Sequence, residues 1–169
     1  TDRSVNQATA RLFAVARTPA ELAALGPDGI TPYIRTIGLW SAKARNIAAM
    51  SQILLTSHGG QVPRTMEELV ELPGVGRKTA NVVLGNAYGI NEGIVVDTHV
   101  MRLSHRLGLT NKAEPEKIEV DLQALVPRKF WAMFSHWLIW HGRRRCFARG
   151  PQCGACEIRE LCPSRDLAA

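Results

Sequence analysis

Residues 72–80 read LPGVGRKTA, and Val96-Asp97-Thr98-His99 follow a short way downstream. Gly74 and Gly76 free this turn from side-chain clash, so its backbone N–H groups can approach a phosphate closely. The helix that starts at Arg77 presents its positive end on the same side. Upstream, Thr65-Met66-Glu67-Glu68 has capping-box form and opens a helix that runs into Leu72-Pro73. Two helices joined by a Gly-x-Gly turn make a helix-hairpin-helix, which holds a DNA phosphate without reading a base. The same pattern also fits an ordinary helical corner, or a hairpin that binds DNA and does nothing else.

Working outward, the chain reads as helices almost throughout. Val5 to Ala16 is apolar at helical spacing. Thr18-Pro19-Ala20-Glu21 is another capping box with proline at the first helical position, and Gly26 ends that short helix. Ile30 to Ile37 forms a further short helix closed by Gly38. Ser41 has the chemistry of an N-cap for a longer helix that His58-Gly59-Gly60 stops. Beyond the glycine turn, the pattern predicts helices over Arg77 to Tyr88, from Asp97 onward, over Pro115 to Val126 and over Pro127 to Gly142. Ile94-Val95-Val96 is β-branched but has no second strand to pair with, so an extended linker is expected. The fold class is all-α.

Lys78 and Asp97 bring chemistry to this scaffold. A neutral amine attacks the C1′ of a damaged nucleoside, expels the base and forms a Schiff base. A free lysine is neutral only on the order of 0.1% near pH 7.4, so the chemistry needs surroundings that disfavour the ammonium. The plain alternative for Lys78 is a phosphate contact. Asp97 precedes Thr98 and His99 as a good helix N-cap, and a carboxylate there also stabilises positive charge on a sugar or shuttles a proton. The two roles are compatible, because a cap fixes the carboxylate in place.

Charge and cysteines point the same way. The chain carries a formal charge of +6 with a pI near 9.5, which suggests a polyanionic partner. Residues 1–127 hold 13 Lys+Arg against 12 Asp+Glu, and residues 128–169 hold 8 against 3, so nearly all the excess lies beside the cysteines. Cys146, Cys153, Cys156 and Cys162 are the only four in the chain, and their crowding implies metal ligation. Zinc prefers paired C-x2-C knuckles, whereas these uneven loops suit a [4Fe-4S] cluster. Such a core with its four thiolates carries about −2, which Arg143, Arg144, Arg145 and Arg149 offset while also facing DNA. No apolar run approaches the roughly 20 residues of a membrane span, and no signal peptide is visible.

With these features together, the chain resembles the endonuclease III family of DNA glycosylases. The resemblance rests on LPGVGRKTANVVL, VDTH, the His136 to Arg143 stretch and the cysteine loop. It implies a helical-barrel lobe over 1–92, with the hairpin at about 65–88, and an iron–sulfur lobe over 93–169, with DNA in the cleft between them. It implies removal of oxidised pyrimidines of the thymine glycol type, then β-elimination at the abasic site. Lys78 is then the nucleophile and Asp97 its catalytic partner. Gly74, Val75, Gly76, Arg77, His99 and Arg143 contact DNA, and Leu39, on the wedge loop Ile37-Gly38-Leu39, fills the space of the flipped base. The four cysteines hold the cluster. A monomer in the cytoplasm, associated with the nucleoid, is expected. The family's preceding helix, with its pocket-filling glutamine, has no counterpart within these residues, and the Lys78 to Asp97 linker is slightly longer than the family pattern around Ile90 to Gly93. A related adenine or mismatch glycosylase usually lacks a lysine at position 78. A non-catalytic cluster-bearing DNA-binding module and a zinc module are the other readings.

Overall fold

A computed structural model describes residues 2–166, and every regular element among them is helical. Chain packing divides the protein into two units, residues 1–76 and 77–169. That division falls at the end of the glycine turn, whereas the resemblance divides the chain at 92/93. The outer limits at 1 and 169 lie outside the described residues.

The first unit contains α1 (Asp2–Phe13), α2 (Pro19–Ile34), α3 (Trp40–His58) and α4 (Met66–Val70). The box at Thr18 forms as its sequence predicts. The Glu21 amide donates to Thr18 Oγ1 at 3.2 Å, and Glu21 Oε2 accepts from the amides of Arg17 at 2.7 Å and Thr18 at 2.9 Å. These donors, the Arg17 amide first, hold the Glu21 carboxyl below the ordinary carboxylate range. Gly26, at φ 61°, breaks α2 into two pieces, the stop that its sequence signalled. Ala8, Leu12, Ile30, Ile34, Ala44 and Ala48 form the core of this unit, with Tyr33 and Ile47 packed against it. Each buried leucine or isoleucine here stabilises by about 1.5–3 kcal/mol.

Several helix boundaries differ from expectation: α4 stops at Val70 rather than running into Leu72-Pro73, and the last long helix occupies Trp131–Arg144 rather than Pro127 to Gly142. The first helix occupies Asp2–Phe13 rather than Val5 to Ala16, because the amides of Val15 and Ala16 both turn back to the Leu12 carbonyl. The second ends at Ile34, where the Ile37 amide closes a tight turn onto the Ile34 carbonyl. Ser41 is not the cap of α3. Leu39 holds that position with φ 58°, the one non-glycine left-handed residue among those described, and the Lys43 amide bonds its carbonyl at 3.0 Å. Ser41 lies inside the first turn, where its hydroxyl accepts from Arg45 Nη1 at 2.9 Å.

The second unit contains α5 (Arg77–Tyr88), α6 (Thr98–Arg106), α7 (Pro115–Leu125), a short 3-10 turn at Arg128–Phe130 and α8 (Trp131–Arg144). A loop with single 3-10 turns at Cys153–Ala155 and Arg159–Leu161 follows. The stretch from 89 to 97 has no regular structure, and Ile94 is buried within it. Ile94, Val100, Leu103, Ile118, Leu122 and Leu138 make this unit's core. The aromatic run of α8 is split by helical periodicity. Leu138 and Ser135 turn inward, while Trp137 and Trp140 remain half-exposed, with the Arg144 guanidinium 3.5 Å from the Trp140 ring centre.

Candidate active site and cysteine loop

The glycine turn is held from within the first unit. The Val75 amide donates to the Leu72 carbonyl at 3.0 Å. Gly74 has φ 80°, and a Cβ there would lie 2.7 Å from Asn46 Nδ2, so the position excludes side chains on two grounds. The chain passes from Gly76 directly into α5. Lys78, in the first turn of that helix, is exposed and makes no hydrogen bond or ion pair among the described residues. It lines a shallow pocket with Arg77, Asn81, Ile94, Val96 and Glu119.

Asp97 is the N-cap that its sequence context predicts. Its Oδ1 accepts from the His99 and Val100 amides, both at 2.8 Å. Oδ2 has no partner among the described residues, so the cap fixes the carboxylate and leaves one oxygen for chemistry. His99 packs its Nδ1 3.1 Å from Arg102 Nη2. Because arginine only donates, Nδ1 accepts and Nε2 carries the hydrogen. Leu39 is 80% exposed at its left-handed turn, and the Lys43 ammonium donates to the Gly38 carbonyl beside it. Arg143 is exposed in the last turn of α8.

The sequence motifs do not single out Glu119. This carboxylate is 6% exposed. It accepts from Arg77 Nε at 2.8 Å, Arg77 Nη2 at 3.3 Å, Asn81 Nδ2 at 3.1 Å, the Ile94 amide at 3.1 Å and Gln123 Nε2 at 3.3 Å. The pair raises the Arg77 guanidinium above its ordinary value, chiefly through the hydrogen bonds it donates to Glu119. One available signal was an acid at an inward position of α7, between Ile118 and Leu122.

Cys146, Cys153, Cys156 and Cys162 line one cavity. Cys146 sits just past α8, its amide bonded to the His141 carbonyl at 3.0 Å. Successive turns then join the Cys156 amide to the Cys153 carbonyl, Arg159 to Cys156, and Cys162 to Arg159. This three-residue rhythm points the thiols into a common space. Arg106, Arg145, Arg159 and Arg165 share the lining. Arg106 Nη1 donates to Cys146 Sγ at 3.1 Å, and His141 Nε2 lies 3.4 Å from Cys156 Sγ. Arg159 Nε is buried without a partner among the described residues. Four thiols, surrounding guanidinium groups and an unanswered donor fit an anionic group held by four thiolates. His141, Cys156 and Glu157 also bring ligand atoms within 4.8 Å of one another, but Arg145 Nε engages Glu157 at 2.9 Å.

Comparison with known proteins gives the family. The model of the HhH-GPD superfamily of base excision DNA repair proteins matches residues 1–128. Endonuclease III of Escherichia coli (strain K12) is 48% identical over 166 residues, covering 98% of this chain and 78% of the relative. A non-covalent endonuclease III–DNA complex superposes with a TM-score of 0.91 at 42% identity, over 98% of this chain and 77% of that one. A trapped endonuclease III–DNA covalent intermediate gives the same TM-score and identity, over 98% and 78%. Fold and site thus define a helix-hairpin-helix base excision repair protein, and the chain belongs to the endonuclease III family. It is an enzyme, a DNA glycosylase with abasic-site lyase activity. No helix among the described residues is long and apolar enough to cross a membrane.

Proposed function

We propose that the protein removes oxidised pyrimidines of the thymine glycol type from duplex DNA and then cuts the abasic strand through a Lys78 Schiff base. The observation that carries this reading is the exposed, unpartnered Lys78 amine at the rim of the α5 pocket. In the first step Nζ bonds to C1′, the glycosidic bond breaks, and the base leaves with a proton. Opening of the sugar ring at O4′ gives an iminium between Nζ and C1′. The iminium acidifies the 2′ proton; its loss breaks the C3′–O bond and releases the downstream strand with its phosphate. Water then hydrolyses the imine and frees Lys78. Asp97, anchored through Oδ1, uses Oδ2 to stabilise positive charge on the sugar as the base departs and to pass protons.

A base inside the duplex is beyond reach of the amine, so the damaged nucleotide must leave the stack. Leu39, exposed at its left-handed turn, fills the space left behind. The backbone of Gly74, Val75, Gly76 and Arg77 holds phosphate, His99 offers Nε2–H, and Arg143 adds charge beside the cysteine loop. Cys146, Cys153, Cys156 and Cys162 hold a [4Fe-4S] cluster, which when bound contributes shape and charge for DNA binding and no bond-breaking step. Iron analysis giving about four iron atoms per chain supports that assignment, and zinc in their place overturns it. The protein acts as a monomer, in the cytoplasm at the nucleoid.

The test uses two duplexes, one with a thymine glycol and one with an abasic site, incubated under borohydride. Covalent capture on both, lost in Lys78→Ala with DNA binding largely intact, is expected. Capture or strand cleavage retained by Lys78→Ala overturns the assignment of the nucleophile.

A further inference from the structure

We infer that Glu119 is a positioning residue for the reaction. It braces the first turn of α5, which carries Lys78, against the linker that ends at Asp97. The inference rests on the reading of Lys78 as nucleophile. Neither reacting side chain is held directly to the other among the described residues, so their relation depends on the backbones that carry them. Arg77 and Asn81 stand one helical turn apart on α5 and flank Lys78, and both donate to the Glu119 carboxylate. The same carboxylate accepts from the Ile94 amide, three residues before Asp97. One buried anion thus ties together the helix of the nucleophile and the strand of chain that delivers the carboxylate.

Gly93 supplies an independent sign that this contact is built rather than incidental. A Cβ at Gly93 would lie 1.9 Å from Glu119 Oε1 and 2.6 Å from Asn81 Nδ2. The linker therefore runs against the carboxylate with no room for a side chain, and the path to Asp97 is set by that approach. A buried carboxylate is costly unless its oxygens are paired, and here Oε1 accepts the Arg77 Nη2, Asn81, Ile94 and Gln123 contacts while Oε2 accepts Arg77 Nε. Displacement of a reacting group by about 1 Å costs on the order of 100-fold in rate. A brace of this kind acts on the rate of reaction within bound complexes, with little effect on DNA affinity.

The experiment measures single-turnover borohydride trapping on an abasic duplex, with affinity for a duplex carrying a non-reacting tetrahydrofuran site measured in parallel. Glu119→Gln keeps the shape and removes the charge. The expected result is a trapping rate lower by about 10- to 100-fold, an unchanged final yield of adduct, and affinity within about threefold. A purely structural role would instead lower yield and affinity together and leave the rate per active molecule alone; that result, or a wild-type rate, overturns the inference. Asn81→Ala breaks a single tie to α5 and carries the same test where Glu119→Gln fails to fold: a slowed rate at full yield supports the brace, and a wild-type rate overturns it. Lys78→Ala separates the two ideas. If it still traps, the nucleophile reading fails; if it does not trap and Glu119→Gln is wild-type, only the brace fails.

Discussion

Replacing Gly142 with alanine sets two physical effects against each other. Alanine is favoured over glycine in a helix by about 1 kcal/mol, so propensity alone predicts a more stable protein. The position, however, is where α8 meets α6. A Cβ there would lie 2.9 Å from His99 Nδ1, 3.0 Å from Arg102 Nη2 and 3.2 Å from Leu103 Cδ1. Leu103 is fully buried and has nowhere to retreat. Arg102 Nη2 is pinned by the carbonyls of Gly142 at 3.1 Å and Cys146 at 3.0 Å, besides its contact with His99. Hydrogen bonds from a charged donor contribute about 1.5–3 kcal/mol each, and the lower figure suits this partly buried group. Displacing Arg102 therefore costs about 3 kcal/mol, and overpacking at Leu103 about 1 kcal/mol more. The net expectation is a loss of about 3 kcal/mol, a fall in melting midpoint of roughly 6–12 °C for a chain of this size. Thermal and urea unfolding of the purified protein, followed by circular dichroism at matched iron content, measures it. A midpoint equal to or above that of the wild type refutes the argument, because helix propensity would then outweigh the crossing.

Asp97→Asn keeps an acceptor for the His99 and Val100 amides and should leave stability nearly unchanged, whereas Asp97→Ala should lose about 1 kcal/mol; both should lose base excision, so urea melts and a thymine glycol excision assay together separate cap from chemistry. Leu39→Gly relieves a left-handed side chain that costs about 1–2 kcal/mol, offset in part by glycine's greater entropy. Its melting midpoint should match or exceed the wild type while excision from duplex DNA slows; a lower midpoint at unchanged excision would contradict both halves. The lowered carboxyl of Glu21 contributes stability that is fully present above the ordinary carboxylate value and lost as pH falls through its depressed folded value. Glu21→Gln should therefore destabilise at neutral pH, and melting curves across an acid series should show the gap to wild type closing as pH drops.

Local physics accounts for much that was readable without coordinates. Thr18 with Glu21 forms the full capping box that its spacing predicts, whereas Thr65 accepts from the Glu68 amide and gives its hydroxyl to Glu68 Oε2, so only half of the second box forms. The break at Gly26, the limits of α5 and the cap at Asp97 are likewise set by neighbours within a turn. The four cysteines declare a shared cavity because short chain segments confine them to one. Tertiary structure decided the rest. Leu39 rather than Ser41 starts α3, and the sequence does not announce it because a left-handed leucine is unfavourable on its own. Glu119 reads as one more surface acid on α7, yet its partners Arg77, Asn81 and Ile94 lie 25 to 42 residues away in the chain. Gly142 looks like a helix-weakening glycine until α6 is seen against it. Caps, turns and ligand spacing are short-range and leave a mark in the sequence. Burial of a charge and the crossing of two helices are long-range, and exist only once the chain has folded.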